Sequence, residues 1–136
     1  MKLVHLIVGG ALLMGAGMSQ ARTRLTPEQR LEKITAGRVA GKPVSCIYLR
    51  DIRSTEIIDK TAIAYTTNNG TVYVNRPSGA SFLDDDDILV TNTFGSQLCS
   101  IDIVQLVDRG SNFPSGSLGL SQFVPYPKPP KVKAAS

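Results

Sequence analysis

Tryptophan is absent from this chain, and histidine occurs once, as His5. Cysteine occurs twice and methionine three times, as Met1, Met14 and Met18. His5 and all three methionines fall in the first 21 residues. That segment has Lys2, an apolar run from Leu3 to Gly17, and the small-residue triplet Ser19-Gln20-Ala21. This is the layout of a secretory signal peptide, with a mature N-terminus expected at Arg22. The alternative is an uncleaved anchor, but the apolar core is shorter than the ~20 residues of a membrane helix. No cysteine stands at the cleavage site, so a lipid anchor is not supported.

Each absence excludes a chemistry. A mature chain without histidine cannot build a Ser-His-Asp or Cys-His arrangement. Histidine-ligated zinc or iron is excluded too, and two cysteines are too few for a thiolate zinc cage. No Gly-x-Gly-x-x-Gly or Gly-x-x-x-x-Gly-Lys stretch exists to cradle a nucleotide phosphate. No cofactor is expected. The chain has 15 basic residues, one of them Lys2 in the leader, leaving 14 against 11 acidic ones, a net charge of +3. That small excess, export and an acidic loop all disfavour nucleic acid as a partner, although Tyr48, Tyr65 and Tyr73 offer stacking faces.

What remains is one small domain with local signals. Thr26 is an N-cap, Pro27 sits at the first helical position and Gln29 completes a capping box. Leu31 and Ile34 form its apolar stripe, Leu25 is placed to staple the helix start, and Gly37 ends it. From Pro43 the pattern becomes strand-like. One strand is expected over Val44 to Ile52, covered on both sides, and a second from Ile57 past Asp59-Lys60 to Thr67. Ala62 and Ala64 should share one face, Ile63 and Tyr65 the other. Asn68-Asn69-Gly70 then marks a hairpin into Thr71–Asn75. Ile88 to Thr93 is a further strand. Leu98 to Asp108 reads as the central one, with Asp102 in mid-strand needing partners from Arg50, Arg53 or backbone N–H groups. Leu118 to Val124 adds a short strand or drapes over the core.

The expected architecture is mainly β: a small antiparallel barrel or sandwich of five to six strands with one N-terminal helix across an open end. The division is a signal peptide over 1–21, helix and linker over 22–43, a β domain over 44–124, and a disordered Pro/Lys tail over 125–136.

Two cysteines in an exported chain suggest one bridge, Cys46 to Cys99. Buried free thiols or a redox pair are the alternatives, although redox pairs usually stand closer in sequence. Asp84, Asp85, Asp86 and Asp87 invite a calcium reading, since Ca²⁺ takes six to eight oxygens. The run lacks the spacers and the turn glycine of calcium loops, so a solvated acidic loop is the plainer reading. Asp59 and Asp102, with Asp51, are the carboxylates left for a glycosidase-like pair. Asp102 is read as structural first and catalytic second.

The segments Cys46, Ile52-Arg53-Ser54-Thr55, Ile58-Asp59, Tyr73-Val74-Asn75, Gln97-Leu98-Cys99-Ser100-Ile101-Asp102 and Leu118-Gly119 to Phe123 resemble a group of small exported bacterial proteins catalogued only as a domain of unknown function. The resemblance covers residues 44 to 125. It implies secretion and a compact β-rich domain, and implies no catalytic residue. Such relatives often carry two further cysteines, where this chain has Ser81 and Ser117. Their joint loss implies that they paired with each other, leaving Cys46 to Cys99. Two functions follow: a non-enzymatic periplasmic or secreted domain that contacts an envelope protein or surface, or a carboxylate-dependent hydrolase or metal-assisted enzyme.

Overall fold

In the computed structural model, which describes residues 24–130, the first element is α1, Pro27–Thr35. Its capping box is made in both directions. The Thr26 hydroxyl accepts from the Gln29 N–H at 3.2 Å, and the Gln29 amide oxygen accepts from the Thr26 N–H at 3.0 Å. Gly37, at φ +73°, reverses the chain after the helix. A helix this short needs tertiary packing. α1 buries Leu31 against Ile58, Ala62, Ala64, Val72 and Val74, flanked by Ile34 and Tyr126. It thus covers the outer face of a sheet, not an open end as expected. Leu25 stays about half exposed rather than stapling the helix start.

Nine short strands make three antiparallel sheets. They are β1 Cys46–Tyr48, β2 Ile52–Ile58, β3 Ala62–Thr67, β4 Val72–Asn75, β5 Asp87–Thr91, β6 Gln97–Cys99, β7 Ile103–Asp108, β8 Pro114–Gly119 and β9 Phe123–Tyr126. The sheets run β2-β3-β4-β9, β5-β7-β8 and β1-β6. No barrel closes among the described residues; the arrangement is a sandwich. The strands outnumber the expected five or six because four expected strands are each broken, that from Leu118 to Val124 between β8 and β9. Leu49–Asp51 forms a single 3-10 turn inside the run from Val44 to Ile52. Only Ile47 of that run is buried, so the expectation of two covered sides fails there. Lys60 takes φ +54° and makes Asp59-Lys60-Thr61 a hairpin, not mid-strand. Ser100 to Asp102 turns between β6 and β7, which lie in different sheets, and Ile101 there is 88% exposed.

The alternation in β3 sorts as its pattern requires. Ala62 and Ala64 lie under α1, while Ile63 and Tyr65 enter the main core. In the β3–β4 hairpin Gly70 alone takes positive φ, at +88°. Asn69 contributes its side-chain oxygen, which accepts from the Thr67 hydroxyl and the Thr71 N–H. Pro114 and Pro125 sit in β8 and β9, both edge strands, where a missing N–H costs no ladder bond. Residues 125 and 126 belong to β9 and pair with Tyr73 and Val72, so the domain runs past the expected boundary at 124. The linker is docked as well. The Gly41 N–H donates to the Pro125 carbonyl, and the Arg38 guanidinium donates to the carbonyls of Gly70 and Tyr126. The expected signal peptide, with Arg22, and the tail lysines Lys131 and Lys133 lie outside the described residues.

The main core joins all three sheets: Ile57, Ile63, Tyr65 and Phe123 from one, Val104, Leu106 and Leu118 from the second, Ile47 and Leu98 from the third. Leu83 and Leu120 join it from the connections. Cys46 and Cys99 face each other across β1 and β6 and are bonded, with Cα atoms 4.0 Å apart. The bond fits an oxidising, extracytoplasmic setting. A 3-10 turn at Ala80–Phe82 touches β8, so Ser81 and Ser117 stand on adjacent elements. Asn75, wholly buried, is satisfied by Ser121: its amide donates to the Ser121 carbonyl at 2.6 Å and its oxygen accepts the Ser121 N–H at 2.9 Å. Tyr65 meets Phe123 edge to face at 5.8 Å, yet its buried hydroxyl finds no partner among the described residues. Burial pushes that hydroxyl well above its ordinary pKa.

Two outcomes follow from this packing. The bridge spans 53 positions, and loop-closure entropy assigns such a loop about 4 kcal/mol. The double change Cys46→Ala/Cys99→Ala is therefore expected to lower unfolding free energy by about that much in urea titration. Tyr65→Phe removes an unpaired buried hydroxyl and keeps the ring, so stability should hold or rise by up to about 1 kcal/mol. A clear loss would mean that the hydroxyl is hydrogen-bonded in solution.

Candidate functional site

The four consecutive aspartates are divided by the fold. Lys60 donates its N–H to the Leu83 carbonyl at 3.0 Å, and Leu83 is anchored in the core. This pins the loop after Leu83 against the Asp59 turn. Carboxylate oxygens of Asp59, Asp84 and Asp85 consequently lie within 4.8 Å of one another. Asp84 spends one oxygen on the Asp86 N–H, at 2.9 Å, which holds the turn. Asp87 leaves the loop, begins β5, is buried and accepts the Ser115 hydroxyl at 2.8 Å. Only three of the five aspartates thus converge, at a corner where Asp84 and Asp85 are exposed. Binding through one oxygen each, three carboxylates leave at least half of a Ca²⁺ shell unfilled. The corner attracts cations without enclosing one.

Asp85 and Asp86 also line a wide depression of about 870 Å³, facing Arg24, Arg30 and Lys33. Its opposite charges largely answer one another, and Arg30 is already paired with Glu56.

Asp102 does different work. It sits in the β6–β7 turn, half-buried, and its carboxylate accepts the Cys99 N–H at 2.7 Å. Its own N–H donates to the Cys99 carbonyl and its carbonyl accepts from the Leu120 N–H. The partner is therefore a backbone N–H; Arg50 lies over the Tyr48 ring instead. Asp102 lines a shallow depression with Phe94 and Ile101, of which Asp59 forms no part. The structure brings Asp59 to the acidic loop and leaves Asp102 at the disulfide. Asp51 borders a third hollow, beside Tyr48 and Asn68.

A surface that the sequence did not reveal lies on the outside of β5-β7-β8. Strand register sets its rows: Ile88 beside Val107 and Pro114, Val90 beside Gln105 and Ser117, and Ile103 beside Gly119. Val104, Leu106 and Leu118 point the other way, into the core. None of these row residues is ionisable, but charge borders them: Ile88 lines a hollow with Asp85, Asp87 and Arg109, and Asp108 at the end of β7 is exposed. Ile103 is 63% exposed, and Ile88 and Val90 more than a third; Ile101 and fully exposed Phe94 line a separate hollow with Asp102. The sequence signal was the alternation of β7, apolar on both faces, which implies two covered sides. The structure covers one.

At the other end of β7, Asp108 organises the turn into β8. Its carboxylate accepts from the N–H groups of Gly110 and Ser111 and from the Ser111 hydroxyl. These bonds hold its pKa below the ordinary aspartate value. A depressed carboxyl favours the fold above the unfolded value, near 3.9, and that contribution is lost as pH falls through the folded value. NMR titration should show the lowered midpoint, and Ser111→Ala should raise it. For the acidic corner, calorimetry with Ca²⁺ should show no micromolar binding. Micromolar heat that disappears in Asp59→Asn/Asp85→Asn would establish a built site.

No protein-family model, curated protein or solved structure matches the chain.

Proposed function

We propose that this is an exported, non-enzymatic binding domain of the periplasm or cell surface, acting through the outer face of β5-β7-β8. One observation carries the reading. The sandwich covers one outer face with α1 and leaves β5-β7-β8 without such a cover, with Ile88, Val90 and Ile103 exposed. Contiguous exposed apolar patches on a soluble domain mark contact sites. The resemblance to small exported bacterial proteins agrees with it, as does the disulfide. A carboxylate-dependent hydrolase is the second reading, favoured by the meeting of Asp59 with Asp84 and Asp85. It is weakened by the commitment of Asp84 and Asp102 to backbone N–H groups.

A photo-crosslinking residue at Val90 in cells exporting the protein tests the binding reading. An adduct is expected, and Ile103→Lys should reduce its yield about tenfold while Asp59→Asn leaves it unchanged. Ile103 points to solvent, so the lysine should not unfold the domain. No adduct from Val90 would refute the reading.

A further inference from the structure

We infer that the hollow beside the Asn68-Asn69 turn is a binding site for a neutral sugar of roughly one or two rings. It lies apart from the β5-β7-β8 face and stands independently of the reading given to that face. Three elements supply its walls: β1 through Ile47 and Tyr48, the 3-10 turn through Asp51, and the β3–β4 hairpin through Asn68, Asn69 and Tyr73. Each wall is held in place. β1 is bonded to β6 at Cys46, and Ile47 is buried in the main core. The Asn68 N–H donates to the Asp51 carbonyl at 2.9 Å and so joins the hairpin turn to the 3-10 turn. Val72 and Val74 lie under α1, and Tyr73 between them takes the other side, against the main core. The Arg50 guanidinium stands 5.3 Å from the centre of the Tyr48 ring and steadies it, although Tyr48 is nearly half exposed. No residue of α1 reaches this hollow, because the helix lies on a sheet face. Walls fixed before a ligand arrives spare it the cost of ordering them.

The lining selects the ligand. The hollow measures about 330 Å³, at the small end of the range of about 300–1,000 Å³ that ligand sites occupy. Two tyrosine rings and the aliphatic Val44 and Ile47 share it with polar groups whose hydrogen bonds are unspent. Asn69 gives its oxygen to the Thr67 hydroxyl and the Thr71 N–H, and its NH₂ has no partner among the described residues. The Asn68 amide donates to the Arg50 carbonyl at 3.4 Å, and its oxygen is unpartnered among the same residues. The Asp51 carboxylate has Arg50 at 3.9 Å. A purely apolar ligand would bury these groups unsatisfied. An anion would meet Asp51, and a cation would meet the Arg50 guanidinium. A neutral sugar answers both halves of the lining. Its hydroxyls donate to Asp51 and Asn68 and accept from Asn69, and its C–H face stacks on the electron-rich face of a tyrosine ring.

NMR titration of the exported chain with maltose, cellobiose and diacetylchitobiose, each to about 20 mM, tests the site. At least one sugar should shift the amide signals of Tyr48, Asn68, Asn69 and Tyr73 together, with half-saturation on the order of 1 mM. Tyr48→Ala should weaken that sugar about tenfold or more, and Asn68→Ala about threefold or more. Both positions are exposed, and the amide spectra show that the variants fold. Ile103→Lys, on the other sheet, should leave the sugar's affinity unchanged. Co-sedimentation with insoluble cell-wall glycan is the second arm and separates a polymer from a free sugar. Pelleting that is lost in Tyr48→Ala, without a disaccharide response, supports the site with a polymer as its source. No shift with any sugar and no pelleting overturns the inference. Shifts that cluster away from Tyr48 and Tyr73, or binding indifferent to both Tyr48→Ala and Asn68→Ala, overturn it as well.

Discussion

The bond between Cys46 and Cys99 ties down the smallest sheet, and that sheet closes the core. β1 and β6 are three residues each, a ladder too short to persist alone. Between them they supply Ile47 and Leu98, both deep in the cluster that the two larger sheets share. Non-covalent contacts extend the hold. Asp102 caps Cys99, Leu120 bonds back to Asp102, and Val44 bridges to Phe123 at the head of β9. The sheet of β2-β3-β4-β9 and that of β5-β7-β8 therefore meet through a covalent seam. A small domain whose net stability is only about 5–15 kcal/mol depends heavily on one such bond.

The two outer faces of the sandwich have opposite fates, and the difference traces to composition. On the β2-β3-β4-β9 side the outward residues Ala62, Ala64, Val72 and Val74 are small, so a short helix can lie close with Leu31 as its main insertion. On the other side Ile88, Val90 and Ile103 stand exposed among Gln105 and Ser117 and face no helix. Charge gathers elsewhere: α1 pairs with β2 through Arg30 and Glu56 and with Arg76 beyond β4 through Glu28, and three aspartates meet at the Asp59 corner. On the uncovered sheet charge sits at the strand ends, at Asp87, Asp108 and Arg109, and not in the middle rows.

Local chemistry was legible in the sequence. The capping box of Thr26 and Gln29, the Asn-Gly hairpin, the sorting of Ala62 and Ala64 from Ile63 and Tyr65, and the single bridge all depend on residues close in sequence or on cysteine number. The breaks were not. Lys60 fills a left-handed position usually given to glycine or asparagine. Leu49–Asp51 turns through residues that the alternation places in a strand, and Ile101 looks buried in sequence because it stands in the longest apolar run. The site residues were harder still. Asp59 meets Asp84 only because Lys60 bonds Leu83, and Asn75 meets Ser121 across 46 positions. No local pattern encodes contacts of that range. Nor does an alternating strand say which of its apolar faces is left without a neighbour.

The docking of the linker onto β9 has a topological result. Gly41 bonds to Pro125, and Arg38 to Tyr126, so the stretch after α1 is fastened along β9. The other end of the helix segment, at Arg24 and Leu25, lies beside Glu56 of β2 and the acidic loop. β2 and β9 are the two edges of one sheet, so the helix and its linker form a strap laid from one edge to the other and held at both. An exposed turn such as Gly110-Ser111 lies outside that strap, and an insertion there would leave it undisturbed.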